Sequence, residues 1–108
     1  MAQKIDLMID QGTTYSTQFT ITDANSIPLN FTGYSGNSQI RKHYSSNTYY
    51  TFGVSLSNTG VVVLSMNSSV TGTITSGRYV YDVEVVDGSN TVSRLVEGVV
   101  TVTPQVTK

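Results

Sequence analysis

Residues 77–86 read Gly-Arg-Tyr-Val-Tyr-Asp-Val-Glu-Val-Val, and this stretch decides the class of fold. Aromatic or apolar residues occupy its odd positions from 79 to 85, and three of its five even positions from 78 to 86 are charged. A period of two places each set on its own face of a pleated strand. The stretch therefore predicts a β-strand with one face in a core and the other in solvent.

The residues that follow predict a β-hairpin. Residues 87–90 have the composition of a turn, and residues 91–102 return as a second strand. With a three-residue connection, Glu84 lies opposite Arg94 and Val83 opposite Leu95, which places an ion pair outside and an apolar pair inside. The apolar phase then changes near residue 98, so we expect a β-bulge at Gly98.

The start of the first strand has the spacing of a tyrosine corner. Gly77 stands two residues before Tyr79, and the hydroxyl of such a tyrosine bonds back to the turn before the strand. Tyr81 takes the position that cysteine holds in antibody domains. We therefore expect Gly77, Tyr79, Tyr81 and Gly98 to determine the fold.

Short segments with the same period of two cover most of the remaining chain. They lie at residues 4–10, 15–22, 34–42, 49–56 and 61–66. The sequence suits at most one helical turn, near residues 68–72, with a Ser or Asn cap. About 7–8 short strands predict an all-β protein, an immunoglobulin-like antiparallel β-sandwich that forms one domain over residues 1–108.

Composition excludes several classes of function. The chain has 108 residues with 14 serines, 16 threonines and no cysteine, so no disulfide, thiolate metal site or cysteine nucleophile is expected. Charged residues make up 12% of the chain and the net charge is −1, which does not suit a nucleic-acid partner. An apolar run of 18 residues is missing, so we expect no membrane partner.

Catalytic and metal-binding constellations are also not expected. His43 is the only histidine, so it cannot join a second one in a metal site. Asp82 and Glu84 lie on one face of a predicted strand, as paired carboxylates of a glycosidase can. Arg78 and Arg94 are their expected neighbours and would keep both carboxylates ionised. We expect a protein that is not an enzyme and has no cofactor.

Two kinds of surface are candidates for partner contacts. Basic and aromatic residues cluster around a polar loop; they are Arg41, His43, Tyr44, Tyr49 and Tyr50. Exposed tyrosines suit protein and sugar contacts alike, so a glycan-binding platform of the three tyrosines stays open. The terminal strands, at residues 4–10 and 101–107, are candidates for pairing with a neighbouring chain.

Five stretches together carry a family resemblance. They are residues 9–15 (Ile-Asp-Gln-Gly-Thr-Thr-Tyr), 29–34 (Leu-Asn-Phe-Thr-Gly-Tyr), 39–42 (Gln-Ile-Arg-Lys), 77–84 and 94–104. In this order and spacing the chain resembles small virion structural proteins of tailed bacteriophages, especially phages of marine cyanobacteria. It is also similar to the immunoglobulin-like N-terminal module of phage baseplate upper proteins.

The resemblance implies a virion protein without enzymatic activity. Such a protein would act as a tail or baseplate adaptor through contacts with other virion proteins, and it could assemble as a trimer or hexamer. A capsid decoration protein is the first alternative, and a carbohydrate-binding module for host surface glycans is the second.

Overall fold

The computed structural model describes residues 3–22, 25–43 and 45–106. Within these ranges the elements are β1 (Gln3–Lys4), β2 (Leu7–Asp10), β3 (Tyr15–Thr20), β4 (Ser35–Arg41), β5 (Tyr49–Leu56), β6 (Val61–Met66), α1 (Ser68–Thr71), β7 (Gly77–Val86) and β8 (Val92–Thr103). The prediction of an all-β protein is confirmed, and every predicted strand segment overlaps an observed strand.

Strand β7 shows how the period of two in the sequence becomes burial. The odd residues from Tyr79 to Val85 are buried, and the even residues from Arg78 to Val86 are half-buried or exposed. The same alternation occurs in β2, β3 and β6. Each of these strands therefore gives one face to a shared core.

The strands form a curled sheet in the order β1-β8-β7-β4-β5-β6-β3, with β2 also paired to β8. Strand β5 connects the two parts of this sheet, because its residues 49–52 pair with β4 and its residues 53–56 pair with β6. We call β1, β2, β8, β7 and β4 the β7 half of the sheet, and β6 and β3 the β6 half.

The sheet is mixed, so the prediction of purely antiparallel pairing is wrong at the N-terminal edge. β1 and β2 run parallel to β8, with Gln3 beside Val96 and Asp10 beside Thr103. All pairings among β3 to β8 are antiparallel. A period of two predicts which side chains face the core, but it carries no information on the direction of the neighbouring strand.

One hydrophobic core includes buried residues from both halves of the sheet. Its fully buried side chains include Ile9, Ile40, Leu64, Val83 and Val100. Aromatic rings cross it as well. The ring of Phe52 lies 6.0 Å from that of Tyr15 and 6.3 Å from that of Tyr81, measured between centroids. Such tilted and edge-to-face pairs suit the charge distribution of aromatic rings.

The tyrosine-corner hydrogen bond is present, as predicted. The Tyr79 hydroxyl donates to the carbonyl oxygen of Thr75 at 2.5 Å. Gly77 begins β7 with a φ of 142°, which is a backbone conformation that favours glycine. Two residues after Tyr79, the Tyr81 hydroxyl donates to the carbonyl oxygen of Ile5 at 2.6 Å and links the N-terminal edge to the sheet.

The β-bulge is not at Gly98, contrary to the prediction. The register of β7 and β8 shifts between Val83 and Glu84, where Val83 lies opposite Val96 and Glu84 opposite Arg94. Leu95 is therefore the extra residue, and Val83 does not face it as predicted. Gly98 instead allows a close approach of the chain, since a Cβ atom there would lie 2.2 Å from the carbonyl oxygen of Ile5.

The predicted helical turn is confirmed as α1. The Asn67 side chain caps it by accepting a hydrogen bond from the backbone N–H of Val70 at 3.1 Å. Thr71 is fully buried, and its hydroxyl donates to the carbonyl oxygen of Thr13 at 2.7 Å. Thus α1 is attached to the connection between β2 and β3.

Of the two terminal segments predicted to be edge strands, the structure shows one at an edge of the sheet. Residues 4–10 do form an edge, because β1 and β2 pair only with β8 among the described strands. Residues 101–103 do not, because β8 lies between β7 and β2. Residue 107 lies outside the described residues. The strand that ends the other side of the sheet is β3, which the sequence did not single out.

Candidate functional site

The outer face of the β7 half concentrates charged side chains. Because the odd residues of β7 are buried, Arg78, Asp82 and Glu84 project from the opposite face. Register places Glu97 of β8 beside Asp82 on one side and Gln39 of β4 on the other. We call this surface the charged face.

Arg94 neutralises two carboxylates that lie opposite each other on the charged face. Its Nε atom lies 3.3 Å from Oδ2 of Asp82, and its Nη1 atom lies 3.5 Å from Oε2 of Glu97. Like charges in directly opposed positions destabilise a sheet, and the guanidinium offsets that repulsion. Glu84 lies opposite Arg94 in register as predicted, but the ion pairs of Arg94 that the structure shows are with the other two carboxylates.

A second arginine marks the other side of the charged face. Arg41 ends β4, and its guanidinium lies 4.7 Å from the ring centroid of Tyr49, its register partner on β5. The same guanidinium donates to the side-chain oxygen of Gln39 at 2.9 Å and to the carbonyl oxygen of Ser46. These contacts fix both the arginine and the tyrosine ring at the surface.

A depression of about 410 Å³ lies between the two arginines. Its lining includes Arg41 and Arg94 on either side, with Val80, Asp82 and Glu84 of β7 between them. The depression thus offers charges of both signs next to an aliphatic side chain, and this arrangement suits a polar protein surface with complementary charges.

The four predicted contact residues that the structure describes do not form one patch. Tyr49 is 48% exposed and lies with Arg41 on the charged face. Tyr50 lies on the opposite face, where it is half-buried with its ring 6.5 Å from that of Tyr79. His43 is exposed, and its Nδ1 atom lies 3.3 Å from the Ser45 hydroxyl. Tyr44 lies outside the described residues.

Tyr49 and Tyr50 therefore do not lie side by side on one surface, because successive strand residues point to opposite faces. The sequence pattern predicted a charge cluster of Asp82 and Glu84 with Arg78 and Arg94, and this prediction did not include Glu97 or Gln39. The register of β8 was the signal for Glu97, and that register depends on the position of the bulge. The alternation of β4 was the signal for Gln39.

Two of the core tyrosines have altered acidity. Burial raises the pKa of Tyr81, and the neighbouring Tyr15 and Asp6 raise it further. Burial likewise raises the pKa of Tyr79, with a smaller contribution from Tyr50. Both hydroxyls therefore stay protonated and act as hydrogen-bond donors to backbone carbonyls, which is a structural task.

The described residues hold no group of three or more His, Asp or Glu side chains placed to bind a metal ion. Among the same residues, no helix has the length and apolar character to cross a membrane.

Comparisons with known proteins add little to this description. No family model and no curated protein matches the chain. Among solved structures, a family 123 glycoside hydrolase from Clostridium perfringens aligns with 98% of this chain at 9% sequence identity and a TM-score of 0.45. The chain spans 24% of the length of that hydrolase chain. A similarity of this size carries no argument about activity.

Proposed function

We propose that the protein is a phage virion structural module, a tail or baseplate adaptor that acts through protein–protein contacts and not by catalysis. The charged face supports this mode of action, because it holds arginine, tyrosine and carboxylate groups on neighbouring strands. Arginine and tyrosine supply much of the binding energy in protein interfaces. The sequence resemblance supplies the virion context.

The proposal includes an immunoglobulin-like sandwich as the finer description of the fold. Three features support it. The Tyr79 hydrogen bond has the form of a tyrosine corner. β5 changes partners from β4 to β6 along its length, as strands that switch sheets do in sandwiches. A single core also takes buried residues from both halves of the sheet.

The charged face would bind by complementarity. Arg41 and Arg94 border the depression and can donate hydrogen bonds to carboxylates of a partner, while Glu84 can pair with a basic group. Tyr49 adds a ring that Arg41 already holds in place, so little side-chain freedom is lost on binding. The expected result is a specific contact with a modest affinity, strengthened by the many copies in a virion.

The test of location is immunogold labelling of purified particles of the phage that encodes the chain. Antibody raised against the purified protein is expected to label the tail tip or baseplate. Label spread over the head would instead support the capsid decoration alternative. Particles without label, together with no peptide of the chain in their mass spectrum, would overturn the virion proposal.

The test of the surface uses phage that carry the double variant Arg41→Ala, Tyr49→Ala. Loss of this arginine and tyrosine is expected to lower the number of copies per particle at least about tenfold, since two interface side chains of this type are each worth about 1 kcal/mol or more. Ser55→Ala, an exposed residue on β5 that pairs with β6, is the matched control. Equal incorporation of both would exclude the charged face as the docking surface.

A further inference from the structure

Strand β3 is an open edge of the sheet. Over residues 15–20 it pairs with β6 in an uninterrupted antiparallel register, and no described strand pairs with its other side. The backbone N–H of Ile21 donates to the carbonyl oxygen of Gly60 at 2.8 Å, on the β6 side. Because alternate residues of a strand point the same way, the backbone groups of Ser16, Gln18 and Thr20 point to the open side.

This edge lacks the devices that usually prevent strands from pairing. Its six residues include no charged residue, no proline, no glycine and no bulge. The opposite edge differs, because it carries three charged residues: Lys4 of β1, Asp6 between the two strands, and Asp10 of β2. Charged edges resist the addition of another strand, and an unprotected edge favours it. The two edges of this sheet are therefore not equivalent.

The side chains that face inward from β3 are incompletely covered. Tyr15, Thr17 and Phe19 are half-buried, whereas the core-facing residues of the neighbouring β6 are buried. Another strand beside β3 would cover the exposed parts of the two aromatic rings. The edge thus offers apolar area as well as unpaired backbone groups.

We propose that a second copy of this chain occupies the edge, with its β3 antiparallel to the first. The open groups belong to residues 16, 18 and 20, so the self-complementary register pairs Gln18 with Gln18 and Ser16 with Thr20 about a two-fold axis. No charge meets a like charge in this register. The two Gln18 amides can each donate to and accept from the other, and Thr17 lies opposite Phe19.

The pairing makes about six backbone hydrogen bonds and joins the two sheets into one. It does not depend on the proposed virion role, because it uses only the edge of β3 and not the charged face. It also bears on the expected assemblies. A two-fold contact occurs in a dihedral hexamer but does not by itself build a cyclic trimer.

The first test is the mass of the full chain in solution, measured by sedimentation equilibrium over a range of concentrations. The expected result is a reversible monomer–dimer equilibrium. A monomer at every concentration up to about 100 μM would overturn the proposal, since specific dimers of useful strength form below that level. This failure would leave the virion labelling experiment untouched.

The second test places charges at the centre of the proposed axis. Gln18→Lys or Gln18→Glu alone brings two like charges face to face and is expected to weaken the dimer about fivefold to tenfold. An equal mixture of the two variants is expected to dimerise at least as well as the unaltered chain. Ser55→Lys adds a charge to β5, away from the edge of β3, and should leave the dimer intact.

The third test uses the absence of cysteine from the chain. Directly opposed residues in this register have Cα atoms about 5.5 Å apart, within reach of a disulfide. Gln18→Cys is therefore expected to give a covalent dimer on mild oxidation, and Ser55→Cys is the control for random collisions. A dimer that is indifferent to the charges at residue 18 and does not cross-link there would show that β3 is not the contact.

Discussion

The Tyr81 hydroxyl donates a hydrogen bond of 2.6 Å to the carbonyl oxygen of Ile5, 76 positions earlier in the chain. Ile5 lies between β1 and β2, where its own N–H donates to the carbonyl oxygen of Glu97 at 2.9 Å. The N-terminal edge is thus held by a side-chain hydrogen bond from Tyr81 of β7 and by a backbone hydrogen bond to β8. The Tyr81 hydrogen bond links β7 to the segment between β1 and β2.

We expect Tyr81 to make the protein less stable at high pH. Its pKa is raised in the folded state, so above about pH 10 the unfolded chain releases a proton that the folded chain keeps. The unfolded state then binds fewer protons, and the free energy of unfolding falls as the pH rises. Urea unfolding at pH 7 and at about pH 10.5 should show this loss.

Tyr81→Phe should be less stable than the unaltered chain at pH 7, by about 1–2 kcal/mol, because the Ile5 carbonyl loses its donor. The difference between the two proteins should shrink at the higher pH. Tyr49→Phe, which alters an exposed ring, serves as the control. If Tyr81→Phe lost as much stability with pH as the unaltered chain, the assignment of the effect to Tyr81 would be wrong.

Gly98→Ala should destabilise the N-terminal edge. The added Cβ would lie 2.2 Å from the carbonyl oxygen of Ile5 and 2.9 Å from its carbonyl carbon, so the backbone must move. We expect a loss of about 1–3 kcal/mol in the free energy of unfolding. Gly88→Ala is the matched control, since nothing lies within 4 Å of its added Cβ. Similar losses at both positions would contradict the close approach described for Gly98.

The buried Thr71 hydroxyl should matter more than its methyl group. Thr71→Val keeps the shape of the side chain but leaves the Thr13 carbonyl without its donor, and we expect a loss of about 1–3 kcal/mol. Thr71→Ser retains the hydroxyl and should lose less, about 1 kcal/mol, for the missing methyl group. Urea unfolding of the two variants should show a lower free energy of unfolding for Thr71→Val than for Thr71→Ser. A valine variant more stable than the serine variant would refute the role of this hydrogen bond.

Arg94→Ala should change stability little, by less than about 1 kcal/mol, although the arginine makes two ion pairs. Its side chain is 47% exposed, and such pairs are screened by water and salt. The removal also leaves Asp82 and Glu97 opposed, so the loss should be larger at low salt than at high salt. Thermal unfolding at two ionic strengths would measure this difference, and a large loss that ignores salt would argue for a packing role.

Local rules predicted much of this protein. The alternation of residues 78–86 gave the buried face of β7, the spacing from Gly77 to Tyr79 gave the corner hydrogen bond, and the composition of residues 67–72 gave the helical turn. Each of these depends on residues that are close in sequence. Their outcome is therefore fixed mainly by local geometry and by the contrast between apolar and polar side chains.

Features that depend on distant partners were harder to predict. The parallel course of β2 follows from its pairing with β8, about 90 residues later in the chain. The position of the bulge at Leu95 follows from the register of the hairpin of β7 and β8. In contrast, the alternation of β5 was enough to predict that Tyr49 and Tyr50 lie on opposite faces. The open edge of β3 could be recognised only once the strand order was known.

The parallel edge also has a mechanical consequence. Gln3, where β1 begins, lies beside Val96, and Asp10 lies beside Thr103, where β8 ends. A pulling force applied between the start of β1 and the end of β8 would act along these two strands in opposite directions. Their ladder of hydrogen bonds would then be sheared all at once and not opened one bond at a time. The sheet is therefore built to resist stretching between the start of β1 and the end of β8.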